Sequence, residues 1–135
     1  MIDMPVIDYT STSITIPQCM VDAAQRYQIP LRVLVAVQKS EGGKLGQRVK
    51  NKNGTYDHGP FQINTIWLDK FSKFGYTEDI LTNNFCASAY ASSYIIRYYI
   101  NDAGGDFWKG VGNYNSKTPV HHNKYVLTVY KNSLF

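Results

Sequence analysis

The sequence predicts a mostly helical α+β chain with at most one small β-hairpin. Apolar residues recur at helical spacing in several separate stretches. One polar, glycine-rich stretch interrupts them, and it carries an Asn53-Gly54 pair, a strong turn signal. The 135 residues contain neither a repeat nor a linker, 44% of them are apolar and 18% charged, and that describes one ordinary folded domain. We divide the chain into an N-terminal arm over 1–16 and a domain over 17–135.

Taken in order, residues 1–16 are polar and β-branched without a clear period. Pro17 suits a first helical turn, where its missing N–H costs nothing. A helix is expected from there to Tyr27, with Met20, Ala23, Ala24 and Tyr27 as its buried stripe. Pro30 restarts a helix whose Leu31, Leu34, Val35 and Gln38 share a face. That helix ends at Glu41, before the stop signal Gly42-Gly43. The Asn53-Gly54 turn then joins a small hairpin, with "TYDHG" on its return strand. Residues 61–71 carry a short helical pattern, and "KFGYTED" reads as a loop. The clearest long helix covers 84–100, and its small residues at 87–93 point to close packing on several sides. Residues 107–114 form a further helical turn. The last segment, with Tyr125, Leu127, Val129 and Tyr130, fits a helix, although 125–130 also alternates as a strand does.

Composition narrows the function classes. A net charge of +4 favours polyanionic surroundings such as nucleic acid, an acidic membrane or an acidic cell wall. No basic stripe marks a nucleic-acid groove, and the densest basic patch, "GQRVKNK", reads as a solvated loop. No apolar run is long enough to span a membrane. The start "MIDMPVIDYT" lacks the basic and apolar regions of a signal peptide. The protein therefore stays inside, or a signal has been removed. Eleven tyrosines offer rigid, amphipathic rings of the kind that bind sugars. His58, His121 and His122 read as surface histidines, with no partner set at metal spacing. Trp67 and Trp108 read as core or cleft aromatics. Cys19 and Cys86 stand far apart with no CxxC, as two buried thiols or one long-range disulfide.

Glu41 is the residue whose placement suggests chemistry. A carboxylate in the last turn of a helix faces the negative end of the helix dipole. Partial burial also disfavours its charged form. Both effects hold the proton on, which suits a general acid working near neutral pH. The glycines after it allow close approach of another backbone or a substrate chain, and Gln62 and Asn64 offer donors and acceptors for positioning.

Three ordered motifs give this glutamate a context: Glu41-Gly42-Gly43, then Asn53-Gly54-Thr55 with Asp57 to Asn64, then Gly112-Asn113-Tyr114-Asn115-Ser116. Together they resemble the lytic transglycosylase family, above all its small members in secretion, pilus and conjugation systems. The resemblance runs over roughly residues 18–116. It implies a lysozyme-like helical fold with a cleft for peptidoglycan glycan strands, and no cofactor or metal. Glu41 matches the catalytic acid. Gln62 and Asn64 match the cleft-lining element beside it, with Phe61 as cleft wall. Tyr114 and Asn115 match the Tyr-Asn element, whose tyrosine hydroxyl holds the glutamate. Asp57 is read as structural, holding the Asn-Gly turn. The family usually has Ser where this chain has Gly42, which removes one contact to the glutamate or the sugar. Members pair cysteines at the places of Cys19 and Cys86, implying one disulfide and a periplasmic or exported protein. The rival readings are a wall-binding assembly protein with little turnover and a hydrolytic lysozyme.

Overall fold

The computed structural model describes Met4 and residues 15–135. The arm expected over 1–16 falls, apart from Met4, Thr15 and Ile16, outside the described residues. Two helices open the fold, α1 (Gln18–Tyr27) and α2 (Leu31–Glu41). Met20, Ala23 and Ala24 are the buried stripe of α1, as expected, with Tyr27 partly exposed. On α2 the buried residues are Val33, Leu34, Ala36 and Val37, so its core face is rotated from the expected stripe. The reason is packing on two sides: α2 lies against both α1 and the last helix, α7 (Pro119–Asn132). Asn132 of α7 donates to Ser40 Oγ at 3.0 Å, which fixes the end of α7 beside the end of α2.

The polar stretch after α2 forms a small sheet. Strands β1 (Arg48–Lys50), β2 (Tyr56–His58) and β3 (Ile63–Asn64) pair antiparallel in the order β1-β2-β3. Arg48 lies opposite His58, and Asp57 opposite Asn64. The expected hairpin is thus present, and a short third strand extends it. The basic patch expected as loop supplies β1, all of whose residues are exposed. The Asn53-Gly54 turn is held by Asn51, Asn53 and Thr55: the Asn51 amide N–H donates to the Thr55 carbonyl (2.8 Å), and the Thr55 hydroxyl donates to Asn53 Oδ1 (2.7 Å).

A 3-10 turn (Thr65–Trp67) and α3 (Leu68–Ser72) follow β3. The segment expected as the loop "KFGYTED" ends in the cap of α4 (Glu78–Asn83), where Thr77 Oγ1 accepts from the Ile80 amide at 3.2 Å. This six-residue helix is too short to show an apolar period, and Thr77-Glu78-Asp79 was its only local signal. The long helix α5 (Phe85–Asp102) begins at Asn84, whose Oδ1 accepts from the Ala87 amide at 3.0 Å. Its buried residues, from Ser88 to Ile100, face α1, α4 and α6 (Phe107–Asn115). Arg97 of α5 donates to the carbonyls of Tyr27 (2.9 Å) and Gln28 (2.7 Å), satisfying acceptors that the end of α1 leaves free. The ambiguous final segment is helical, because Tyr125 and Val129, four residues apart, are both buried.

Cys19 and Cys86 form one disulfide, with their Cα atoms 5.5 Å apart, joining the first turns of α1 and α5 across 67 residues. His58 is a correction to the sequence reading. It is fully buried rather than on the surface, with Nδ1 at 2.8 Å from the Ile63 carbonyl oxygen and Nε2 at 3.2 Å from Glu78 Oε1. Glu78 in turn pairs with Arg48 at 2.9 Å, so the histidine ties the sheet to α4. A loop closed over this many residues restricts the unfolded chain by about 4 kcal/mol in the chain-entropy account. Replacing both cysteines by serine is expected to lower the unfolding free energy by about 2–5 kcal/mol, measured by denaturant unfolding as a lower midpoint with a steeper slope, because the uncrosslinked unfolded chain is more expanded.

Candidate active site

Glu41 is the last residue of α2, and Gly42 ends the helix in the left-handed conformation at φ 66°. Glycine takes that conformation without the steric penalty of a side chain. A Cβ at position 42 would meet nothing within 4 Å, so what a serine meets here is backbone strain, not crowding. Gly43 has the opposite constraint. A Cβ there would collide with the Gly59 carbonyl oxygen and come within 2.7 Å of Gln62 Nε2. The chain leaving α2 therefore presses directly onto the β2–β3 turn, and the two glycines do different work.

That turn brings Gln62 to the acid. Gln62 has φ 53°, rare for a side-chain-bearing residue. Its amide Nε2 donates to the Gly59 carbonyl at 3.0 Å, closing the turn on itself. Beside it, Asn64 Nδ2 donates to Asp57 Oδ1 (2.9 Å) and Thr55 Oγ1 (3.1 Å), and its own Oδ1 caps the 3-10 turn through the Ile66 amide. Asp57 therefore anchors Asn64 and not the Asn-Gly turn, which corrects the sequence reading.

A cleft of about 460 Å³ runs between the sheet and the helices. Of the expected residues, Glu41, Gln62, Asn64, Tyr114 and Asn115 line it together. Asn51, Asn53, Asp57, Asn113, Trp67, Tyr99 and Lys117 complete much of its wall, which is rich in side-chain amides. Gly42 and Phe61 are not part of it. Phe61 is 0% exposed and packs on Phe85 with ring centres 5.8 Å apart, so its ring is core and not cleft wall. Its contribution is the backbone carbonyl, which accepts a 2.7 Å hydrogen bond from the Tyr114 hydroxyl. This corrects the expectation that Tyr114 holds the glutamate: its hydroxyl binds the β2–β3 turn to α6 instead.

The tyrosine that does face Glu41 is Tyr125, from α7. Its hydroxyl is buried with no partner at full hydrogen-bonding geometry, and it stands near enough to the Glu41 carboxyl to favour the anion. Burial outweighs that effect. Desolvation, with a smaller contribution from the Asp57 charge, raises Glu41 from 4.5 to about 7. Burial and the neighbouring Glu41 also push the hydroxyls of Tyr114 and Tyr125 well above the ordinary phenol range, so both remain neutral donors. Sequence reasoning missed Tyr125 because its segment alternated as a strand does. The available signal was a tyrosine four residues before Val129, one helical turn away on the same face.

A bundle of helices around α5, a small sheet and a polar cleft with one proton-retaining carboxyl define a lysozyme-like helical domain. The chain is homologous, at family level, to the lytic-transglycosylase-like proteins IpgF and IagB. It is 32% identical over 101 residues to protein IpgF of Shigella flexneri, a stretch covering 74% of this chain and 66% of that protein. It is 29% identical over 101 residues to invasion protein IagB of Salmonella typhimurium, covering 74% of this chain and 62% of that protein. The match thus spans just under two thirds of the length of these relatives. No family model matches the chain.

Two predictions follow from the acid's surroundings. The folded state holds the Glu41 proton more tightly than the unfolded chain does, so the contribution of Glu41 to stability is fully present below about pH 4.5 and is lost as pH rises through about 7. The ionised carboxylate then costs up to about 3 kcal/mol. Glu41→Gln, which stays neutral, is expected to raise the melting temperature by several degrees at pH 8 and to leave it nearly unchanged at pH 4. Tyr125→Phe removes the group that favours the anion. Carboxyl NMR titration should then show Glu41 titrating higher than in the unaltered protein, and an unchanged or lower value would exclude the contact.

Proposed function

We propose that the protein is a peptidoglycan lytic transglycosylase, with residues 17–135 as its catalytic domain and Glu41 as its only acid–base group. The observation that carries this reading is a carboxyl raised to about 7 in the wall of an amide-rich cleft. Such a group still carries its proton near neutral pH and releases it readily. Glu41 protonates the oxygen of the β-1,4 bond between N-acetylmuramic acid and N-acetylglucosamine, and the C1–O bond breaks. The muramyl N-acetyl oxygen stabilises the cation at C1, standing in for the second carboxylate of other glycosidases. The Glu41 carboxylate then takes the proton of the sugar's C6 hydroxyl as O6 bonds to C1. The product is a 1,6-anhydro end, no water is consumed, and the acid regains its proton.

Gln62, Asn113 and Asn115 supply amide donors and acceptors that a neutral N-acetyl sugar needs. Asn64, whose two N–H groups are taken by Thr55 and Asp57, adds only its Oδ1 as an acceptor, and Tyr114 holds the turn that carries Gln62. The disulfide supports an oxidising compartment, the periplasm or beyond, where wall glycan lies. None of the described helices is long and apolar enough to cross a membrane. The relation to an invasion protein supports a role in opening the wall locally for a secretion or invasion assembly. Pilus and conjugation machines ask for the same local opening.

A hydrolytic reading draws on Asp57, whose charge acts on Glu41 from the same cleft. Its hydrogen bond to Asn64 engages one oxygen and leaves the other for a water. Digestion of purified sacculi followed by mass measurement separates the readings. Anhydro ends are expected, with release falling about tenfold per pH unit above pH 7 as the acid loses its proton. Glu41→Gln is expected to abolish release. Reducing ends would mean hydrolysis, and an intact wall would mean a binding protein.

A further inference from the structure

The cleft continues into a second recess of about 340 Å³, with which it shares Ile66, Trp67, Tyr99 and Lys117. The recess adds Lys70, Tyr98 and Asp102. Its chemistry is different from that of the cleft. The cleft is walled by the side-chain amides of Asn51, Asn53, Gln62, Asn64, Asn113 and Asn115, whereas the recess has none.

The recess is instead an aromatic shelf carrying ammonium groups. Trp67 meets the edges of Tyr98 and Tyr99 with ring centres 5.3 and 5.7 Å apart, so its plane is fixed from two sides. Tyr98 is 42% exposed, and its ring is an open surface. Lys70, one helical turn after Trp67, lays its ammonium 4.9 Å from the Tyr98 ring centre and 5.9 Å from that of Trp67. Among the described residues no carboxylate pairs with Lys70. The acid of the recess, Asp102, pairs with Lys117 at 3.5 Å, so the shelf keeps a net positive charge.

A neutral sugar needs hydrogen-bonding amides, and the cleft has them. A shelf of fixed rings with a cation held over them suits a ligand that is apolar along its length and anionic at a point. We propose that the shelf binds the peptide hanging from a glycan strand that lies in the cleft. Trp67 and Tyr98 take the apolar part of the peptide, and Lys70 takes one of its carboxylates. This rests on the reading of the cleft as a glycan site, and the continuity of the two surfaces places a branch of the strand against the shelf.

The test measures binding, so it does not depend on turnover. In Glu41→Gln protein, titrate a peptide-bearing glycan tetrasaccharide, the same glycan after amidase removal of its peptides, and the peptide-bearing form with its carboxylates capped as amides. Calorimetry gives each affinity. The peptide-bearing form is expected to bind about threefold or more tightly than the other two, as suits a single exposed charge pair with apolar contact. Lys70→Gln should erase that preference and Lys70→Arg should restore it. Amidase cleavage frees the lactyl carboxylates that the peptides had held as amides, so the stripped glycan still offers anions, and equal binding of stripped and peptide-bearing forms would overturn the peptide site while leaving the glycan cleft standing. A preference that survives Lys70→Gln would also overturn it. If none of the three ligands binds, the glycan reading falls and the shelf's role with it.

Discussion

Everything at the site depends on keeping one carboxyl largely out of water where a helix stops. Desolvation is the largest effect on Glu41, and it exists only because elements distant in sequence converge on the end of α2. The sheet turn comes in over Gly43, Tyr114 arrives from α6 and Tyr125 from α7. The hydroxyl of Tyr125 works against desolvation and restrains how far the acid is raised. The balance leaves the group near 7, where it can both give and take a proton.

The same constraint explains the irregular backbone around the acid. A carboxyl at a helix end needs the chain to turn away at once, which Gly42 does at positive φ. The turn then has to pass under the sheet, which Gly43 allows by having no side chain. Gln62 takes a positive φ so that its amide folds back on Gly59. Strained or rare conformations gather where function needs side chains placed against local preference. Away from this corner the helices follow ordinary rules, with Thr77, Asn84 and Asp106 capping α4, α5 and α6.

How much of this the sequence disclosed varied with the range of the interaction involved. Helix boundaries at Pro17, Pro30 and Gly42 were legible because proline and glycine act locally. So was Glu41, since its helix-end position needs only its neighbours. The placement of Phe61 was not legible. An apolar residue beside a cleft motif can face the cleft or the core, and only the packing on Phe85 decides. Likewise the motif identified Tyr114 but not its partner, which lies 53 residues away at the Phe61 carbonyl. His58 looked like a surface residue because the groups that accept its burial, the Ile63 carbonyl and Glu78, come from β3 and α4. α4 itself was too short to announce its period.

The position of Tyr125 near the end of the chain makes the acid's proton affinity a property of the finished fold. The disulfide loop encloses Glu41, the whole sheet and Trp67, and that half can be closed covalently before α6 and α7 are in place. The hydroxyl that offsets desolvation at Glu41 is supplied by a helix outside that covalent loop, so the proton balance of the carboxyl is complete only when α7 lies along α2.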